Sequence, residues 1–167
     1  MKNFRFDELW LLSEKSGTAR HLKWSKGKNA LVGSNHTGKS TALRMIYEAF
    51  GCKTRPLGAE WDSGAVTVVS FALGESKYHM LRRGMMFALF RHDGELEWAL
   101  DDAGELRKRF SELFEFVLPL TNQKGESRQA RPAFFFLPHF IDQDGGWNAF
   151  WQTFQSQANS AIGRDLR

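Results

Sequence analysis

The run Gly33-Ser34-Asn35-His36-Thr37-Gly38-Lys39-Ser40-Thr41 places two glycines, a lysine and a hydroxyl at the spacing G-x-x-x-x-G-K-[ST]. These types at this spacing can hold a chain of phosphates. Gly33 and Gly38 relieve steric limits where backbone must approach a ligand, so that successive N–H groups can point inward. Lys39 supplies a point charge for the outer phosphates, and the Ser40 hydroxyl can ligate Mg²⁺. A helix starting here adds unpaired N–H groups and a partial positive charge. The plainer alternative is a Gly/Ser-rich turn between a strand and a helix.

A phosphate cradle does no hydrolysis alone. It needs a carboxylate at the end of a second buried strand and a group that positions water. Residues 96–102 make a poor acidic strand, because Glu97 interrupts the apolar run. Residues 134–137 are apolar enough, but Pro138 separates them from Asp142. Gln143, flanked by Asp142 and Asp144, follows instead, about a hundred residues after Lys39. A glutamine in a loop after a strand can reach Mg²⁺ and an attacking water. Residues 142–146 read equally well as a turn with an acidic helix cap, and spacing leaves both readings open.

The elements that must position these groups follow from periodicity. Ala30, Leu31 and Val32 form an apolar run before the loop, and residues 29–32 read as a buried strand. Leu43, Ile46 and Phe50 fall at helical spacing after it, with Gly51 at the position of a helix-ending glycine. Upstream, residues 3–12 and 19–24 read as two strands joined by a turn at 13–17. Residues 53–64 read as a loop in which Trp61 packs on the core. Residues 65–73, 77–83, 85–92 and 95–100 are strand-like, separated by turn signals at Gly74, Gly84 and Gly94. That is an antiparallel meander. Residues 101–116 predict a helix with Leu106, Phe110, Leu113 and Phe114 on its apolar face, residues 121–131 a polar loop, and residues 134–137 a buried strand. From Trp147 onward, Phe150, Trp151 and Phe154 recur at helical spacing.

A chain of 167 residues, 42% hydrophobic with 15 Phe and 6 Trp, can fill a real core. The net charge of +4 permits a nucleic-acid partner without requiring one. Seven Lys or Arg against three acids make the first 28 residues the most basic stretch, which a solvated hairpin face explains. The single cysteine, Cys52, excludes an internal disulfide and a multi-cysteine zinc site, and a reducing cytoplasm is the simplest setting. No apolar run approaches a membrane span, and the start lacks the apolar core of a signal peptide.

The order of elements, together with Asn35, Gly38, Lys39, Ser40 and Thr41, resembles the N-terminal lobe of the ATP-binding-cassette type ATPase head of SMC, RecN and SbcC-like proteins. Residues 141–144 with Trp147 resemble the Q-loop region of heads associated with bacterial anti-phage defence. The resemblance implies an α/β P-loop NTPase fold with an antiparallel β-meander subdomain over residues 1–155, containing a phosphate loop at 33–41, strands at 65–100 and a Q-loop at 139–146. A helix at 147–167 would begin a coiled-coil arm. It implies ATP and Mg²⁺ as cofactors, held by residues 33–41, with Lys39 and Gln143 in catalytic roles and Ser40 and Gln143 at the metal. It also implies an ATP-driven dimer with a second head, action on DNA, and a nuclease or effector subunit as a possible partner. Heads of this family complete their site with a C-terminal lobe bearing a signature segment, an acidic strand and a switch histidine. None of these is recognisable in the 167 residues, so the chain reads as a half-head whose hydrolysis needs that lobe or a partner chain. Two rivals stand beside this reading. A small P-loop kinase would need a parallel sheet with several βα crossovers. A non-catalytic interaction module would dock partners through Trp147, Phe150, Trp151 and Phe154.

Overall fold

The alternation of apolar and polar residues at the start of the chain builds a ten-residue strand, β1 (Phe4–Ser13), that turns back as β2 (Thr18–Lys23). The computed structural model describes residues 2–34, 37–54, 62, 64–121 and 125–140. Four further strands follow the helix α1 (Lys39–Ala49): β3 (Val66–Leu73), β4 (Ser76–Arg83), β5 (Met86–Arg91) and β6 (Leu96–Leu100). They form one sheet in the order β2-β1-β3-β4-β5-β6, and every neighbouring pair is antiparallel. Gly74, Gly84 and Gly94 sit in the β3–β4, β4–β5 and β5–β6 turns with φ of 64°, 59° and 90°. A left-handed residue of this kind matches the twist of the strands it joins, and only glycine adopts it without cost.

The chain divides into two compact units, Met1–Phe50 with Leu57–Asp102, and Gly51–Pro56 with Ala103–Arg167. In the first, α1 packs on β1, β3 and β4. Phe50 meets Phe4 and Phe71 at ring distances of 6.3 and 5.3 Å, and Tyr47 meets Phe6 at 5.9 Å. Leu9, Val69 and Phe71 are fully buried. Each such side chain contributes about 1.5–3 kcal/mol by leaving water. Gly51, at φ 78°, follows α1 as the left-handed residue that ends a helix. In the second unit, α2 (Ala103–Phe114), a short hairpin of β7 (Pro119–Thr121) and β8 (Ser127–Gln129), α3 (Pro132–Phe136) and a 3₁₀ turn (Leu137–His139) surround a phenylalanine cluster. Phe110 stacks on Phe114 at 4.2 Å, and Phe136 meets Phe110 edge-on at 5.8 Å.

Four expectations are overturned, among them the polar loop at 121–131, of which Thr121 ends β7 and residues 127–129 form its partner β8. The expected P-loop α/β fold is not formed: the described residues make a six-stranded antiparallel sheet with few helices. Parallel neighbours need crossovers of a dozen or more residues, and here β3 to β6 are joined by tight turns. Residues 29–32 are not a buried strand; they lie outside every sheet, and Val32 is 88% exposed. Residues 134–137 are not a strand either, but the end of α3 and the start of the 3₁₀ turn. Pro132 stands at the first helical position, where its fixed φ favours a helix, and Ala133 and Phe136 are buried from that helix. The meander over 65–100, the N-terminal hairpin and the two long helices lie where periodicity puts them. The expected division at residue 147 and the helix beyond it lie outside the described residues, as does Trp61. No helix among the described residues is long and apolar enough to cross a membrane.

Candidate phosphate-binding site

A polar cluster gathers where the described residues of 33–41 run into α1. Gly38 is the N-cap of α1 with φ 80° and ψ 15°, and a Cβ there would meet nothing within 4 Å. Backbone conformation, not crowding, therefore demands glycine at this position. At Gly33 the reason is space: a Cβ would stand 3.0 Å from Thr37 Oγ1. Thr37 Oγ1 donates to the Ser34 carbonyl at 2.9 Å. Lys39 opens α1 and turns its ammonium back over the loop, donating to the carbonyls of Gly33 at 2.7 Å and Ser34 at 2.5 Å. Its Nζ also lies 3.5 Å from Thr37 Oγ1. No side chain caps the helix, and its first turn carries no acid. Positive potential at the helix start is thus not neutralised from within the helix.

The N-terminal hairpin completes the surroundings. Arg20 Nη1 donates to the Thr37 carbonyl at 3.2 Å. A groove of about 260 Å³ runs beside the loop, lined by Leu12, Ser16, Arg20, Thr41, Met45 and Asp62 among others. At its rim Ser13 Oγ donates to Asp62 at 2.5 Å. That bond, with help from the Gly64 N–H and Lys15, holds the Asp62 carboxyl below its ordinary range. The groove thus offers apolar walls, a guanidinium and hydroxyls next to a helix N-terminus. That combination suits a ring-bearing phosphate ester.

The structure brings Gly33, Ser34, Thr37, Gly38, Lys39, Ser40 and Thr41 into one loop and helix start. Asn35, His36 and Gln143 lie outside the described residues. Among the described residues no cluster of three or more His, Cys, Asp or Glu could hold a metal ion. Ser40, on the exposed side of the first turn, is the hydroxyl nearest in sequence to Lys39. Sequence reasoning missed Arg20, Ser13 and Asp62 because they come to this groove only by tertiary contact, Arg20 and Ser13 from the N-terminal hairpin and Asp62 from just before β3. A signal was present: Arg20 lies two residues from Leu22 and so on the same strand face, and Leu22 pairs with the buried Leu9.

The described architecture is an antiparallel sheet backed by a helix, with a glycine-framed loop at the helix start. No protein-family model matches this sequence. The chain is 25% identical over 137 residues to the Lamassu protein LmuB of Bacillus cereus (strain VD014), a stretch covering 81% of this chain and 24% of LmuB. The chain therefore spans about a quarter of the relative it matches.

Proposed function

We propose that residues 33–41 bind the phosphates of Mg²⁺-ATP and that the chain works as the nucleotide-responsive part of an anti-phage defence protein. The observation that carries the first half is the Lys39 ammonium held over Gly33 and Ser34 at the start of α1. A lysine already aimed at the loop's own carbonyls needs only exchange those acceptors for phosphate oxygens. Backbone N–H groups of the first turn, the Ser40 hydroxyl for the metal, and the groove beside Arg20 for the nucleoside complete the assignment. The ion, when bound, would screen phosphate charge and orient the outer phosphate; Gln143 is the residue of this chain we assign to its water shell. The distant similarity to a Lamassu protein and the resemblance to defence ATPase heads support the second half. The partners that resemblance implies are part of the proposal: a second copy joined by ATP, and a nuclease or effector subunit.

The kinase alternative needs parallel strands, and none occurs among the described residues. The aromatic docking face at 147–154 lies outside them. Isothermal titration calorimetry with Mg²⁺-ATP tests the reading. Lys39→Ala should abolish the binding heat while leaving the melting temperature near that of the wild type. Unchanged ATP affinity in that variant would sink the assignment.

A further inference from the structure

The face of the sheet opposite α1 carries a groove of about 520 Å³ that the phosphate-loop reading does not use. Strand alternation puts Trp10, Val68, Ser70 and His79 on this face, since Leu9, Val69, Phe71 and Met80 turn to the other. Trp10 is 42% exposed and lines the groove. Its cross-strand neighbour His21 stacks on it, with ring centroids 3.4 Å apart and planes 10° from parallel. His21 is itself fixed to Glu8 at 2.8 Å and is not among the groove's lining residues. The indole is therefore braced on one side and presented to the groove, its rotamer freedom already lost before any ligand arrives.

Four cations line the same groove, Arg5, Lys23, Lys26 and Lys77, against two carboxylates, Asp7 and Glu8. Both carboxylates are engaged: Asp7 by Arg5 at 2.6 Å, Glu8 by His21 and by Lys23 at 3.3 Å. The balance is an excess of two positive charges, and among the described residues Lys26 and Lys77 have no carboxylate partner. Ser70 and His79, bonded to each other at 2.8 Å, add polar groups on the groove floor. A braced indole among unpaired cations offers one surface for an aromatic ring and another for phosphate. An acidic peptide would use only the charges. A duplex would keep its base faces stacked inside and could not reach the indole.

We propose that this groove binds single-stranded nucleic acid, with a base stacked on Trp10 and neighbouring phosphates on Lys26 and Lys77. These residues are separate from residues 33–41, so the proposal stands whether or not that loop binds ATP. Fluorescence anisotropy of a labelled oligothymidylate of about 15 nucleotides, titrated with the full chain, tests it. Trp10→Ala should weaken binding by about tenfold, and Trp10→Phe should recover most of that loss by keeping a ring. Lys26→Glu with Lys77→Glu should weaken binding further and flatten its salt dependence. Excess Mg²⁺-ATP should not displace the oligonucleotide. Absence of binding by the folded protein, or equal affinity for Trp10→Ala, would overturn the proposal. So would equal affinity for a duplex of the same length, or displacement by ATP. Displacement by polyglutamate as effective as by unlabelled oligonucleotide would assign the groove to an acidic protein instead.

Discussion

Lys39 and His79 show how differently two side chains can be prepared. Lys39 is a cation at a helix start, where the macrodipole opposes it, and it is tethered by the carbonyls of Gly33 and Ser34. Its geometry comes from a loop that Gly38 can turn only because it has no Cβ. His79 is an imidazole whose pKa lies below the ordinary 6.5, first because burial penalises the charged ring and then because His92 lies beside it. Donation to the His92 carbonyl and the charge of Glu8 oppose that shift without cancelling it. The sign follows from proton counting. Below 6.5 the unfolded chain takes up the proton before the folded one, so unfolding gains. The His79 contribution to stability is therefore complete above 6.5 and is lost as pH falls through the lowered folded value. Thermal melts between about pH 5 and 8 should show a shallower pH dependence for His79→Gln than for the wild type. Identical slopes would show that other groups set the dependence. Gly33 and Gly38 were legible as a motif because their spacing is local. His79 was not, because its neighbours come from β3 and from the turn beyond β5.

At the scale of elements, α1 joins the loop to the sheet. Its Glu48 forms an ion pair with Arg82 of β4, and Arg82 also donates to the Gly84 carbonyl at 3.1 Å and lies 5.8 Å over the Phe87 ring. Glu48 is 9% exposed at its side chain and Arg82 22%, so water screens neither well. Removing one partner strands the other charge in a poorly solvated place. Glu48→Ala should lower unfolding stability by about 2–3 kcal/mol in urea titrations, and Arg82→Met in the same chain should restore part of it. An unchanged urea midpoint in Glu48→Ala would show that the pair contributes nothing. The strands β3 to β6 were readable because a two-residue alternation and a left-handed glycine both act within a few residues. The element at 132–136 was not. A short apolar run looks alike in a strand and in a buried helix turn. Pro132 at the helix start and the rings of Phe110 and Phe114 against Phe136 favour the helix.

For the whole molecule, the consequence of an antiparallel sheet is that the glycine-framed loop at 33–41 does not rise from a parallel strand core. It is placed instead by the fit of α1 against Phe4, Phe6 and Phe71 and by the N-terminal hairpin that brings Arg20 to Thr37. No second buried strand among the described residues delivers an acid beside Lys39. We therefore expect negligible Mg²⁺-dependent phosphate release from the purified chain even where calorimetry detects ATP binding. Sustained turnover by a monomeric sample in a coupled phosphate assay would contradict that expectation. The amino-acid sequence by itself determined the hairpin, α1, the four-strand meander, α2 and the glycine-framed loop, because alternation, helical period and left-handed glycines are short-range properties of the chain. Tertiary structure alone decided that residues 29–32 stay outside the sheet, that residues 132–136 are helical, and that Arg20 reaches Thr37 and shares a groove lining with Asp62 while Trp10, His21 and His79 share the opposite face. Those outcomes depend on which strand pairs with which and on what packs against each face. Neither is carried by the residues of any single segment.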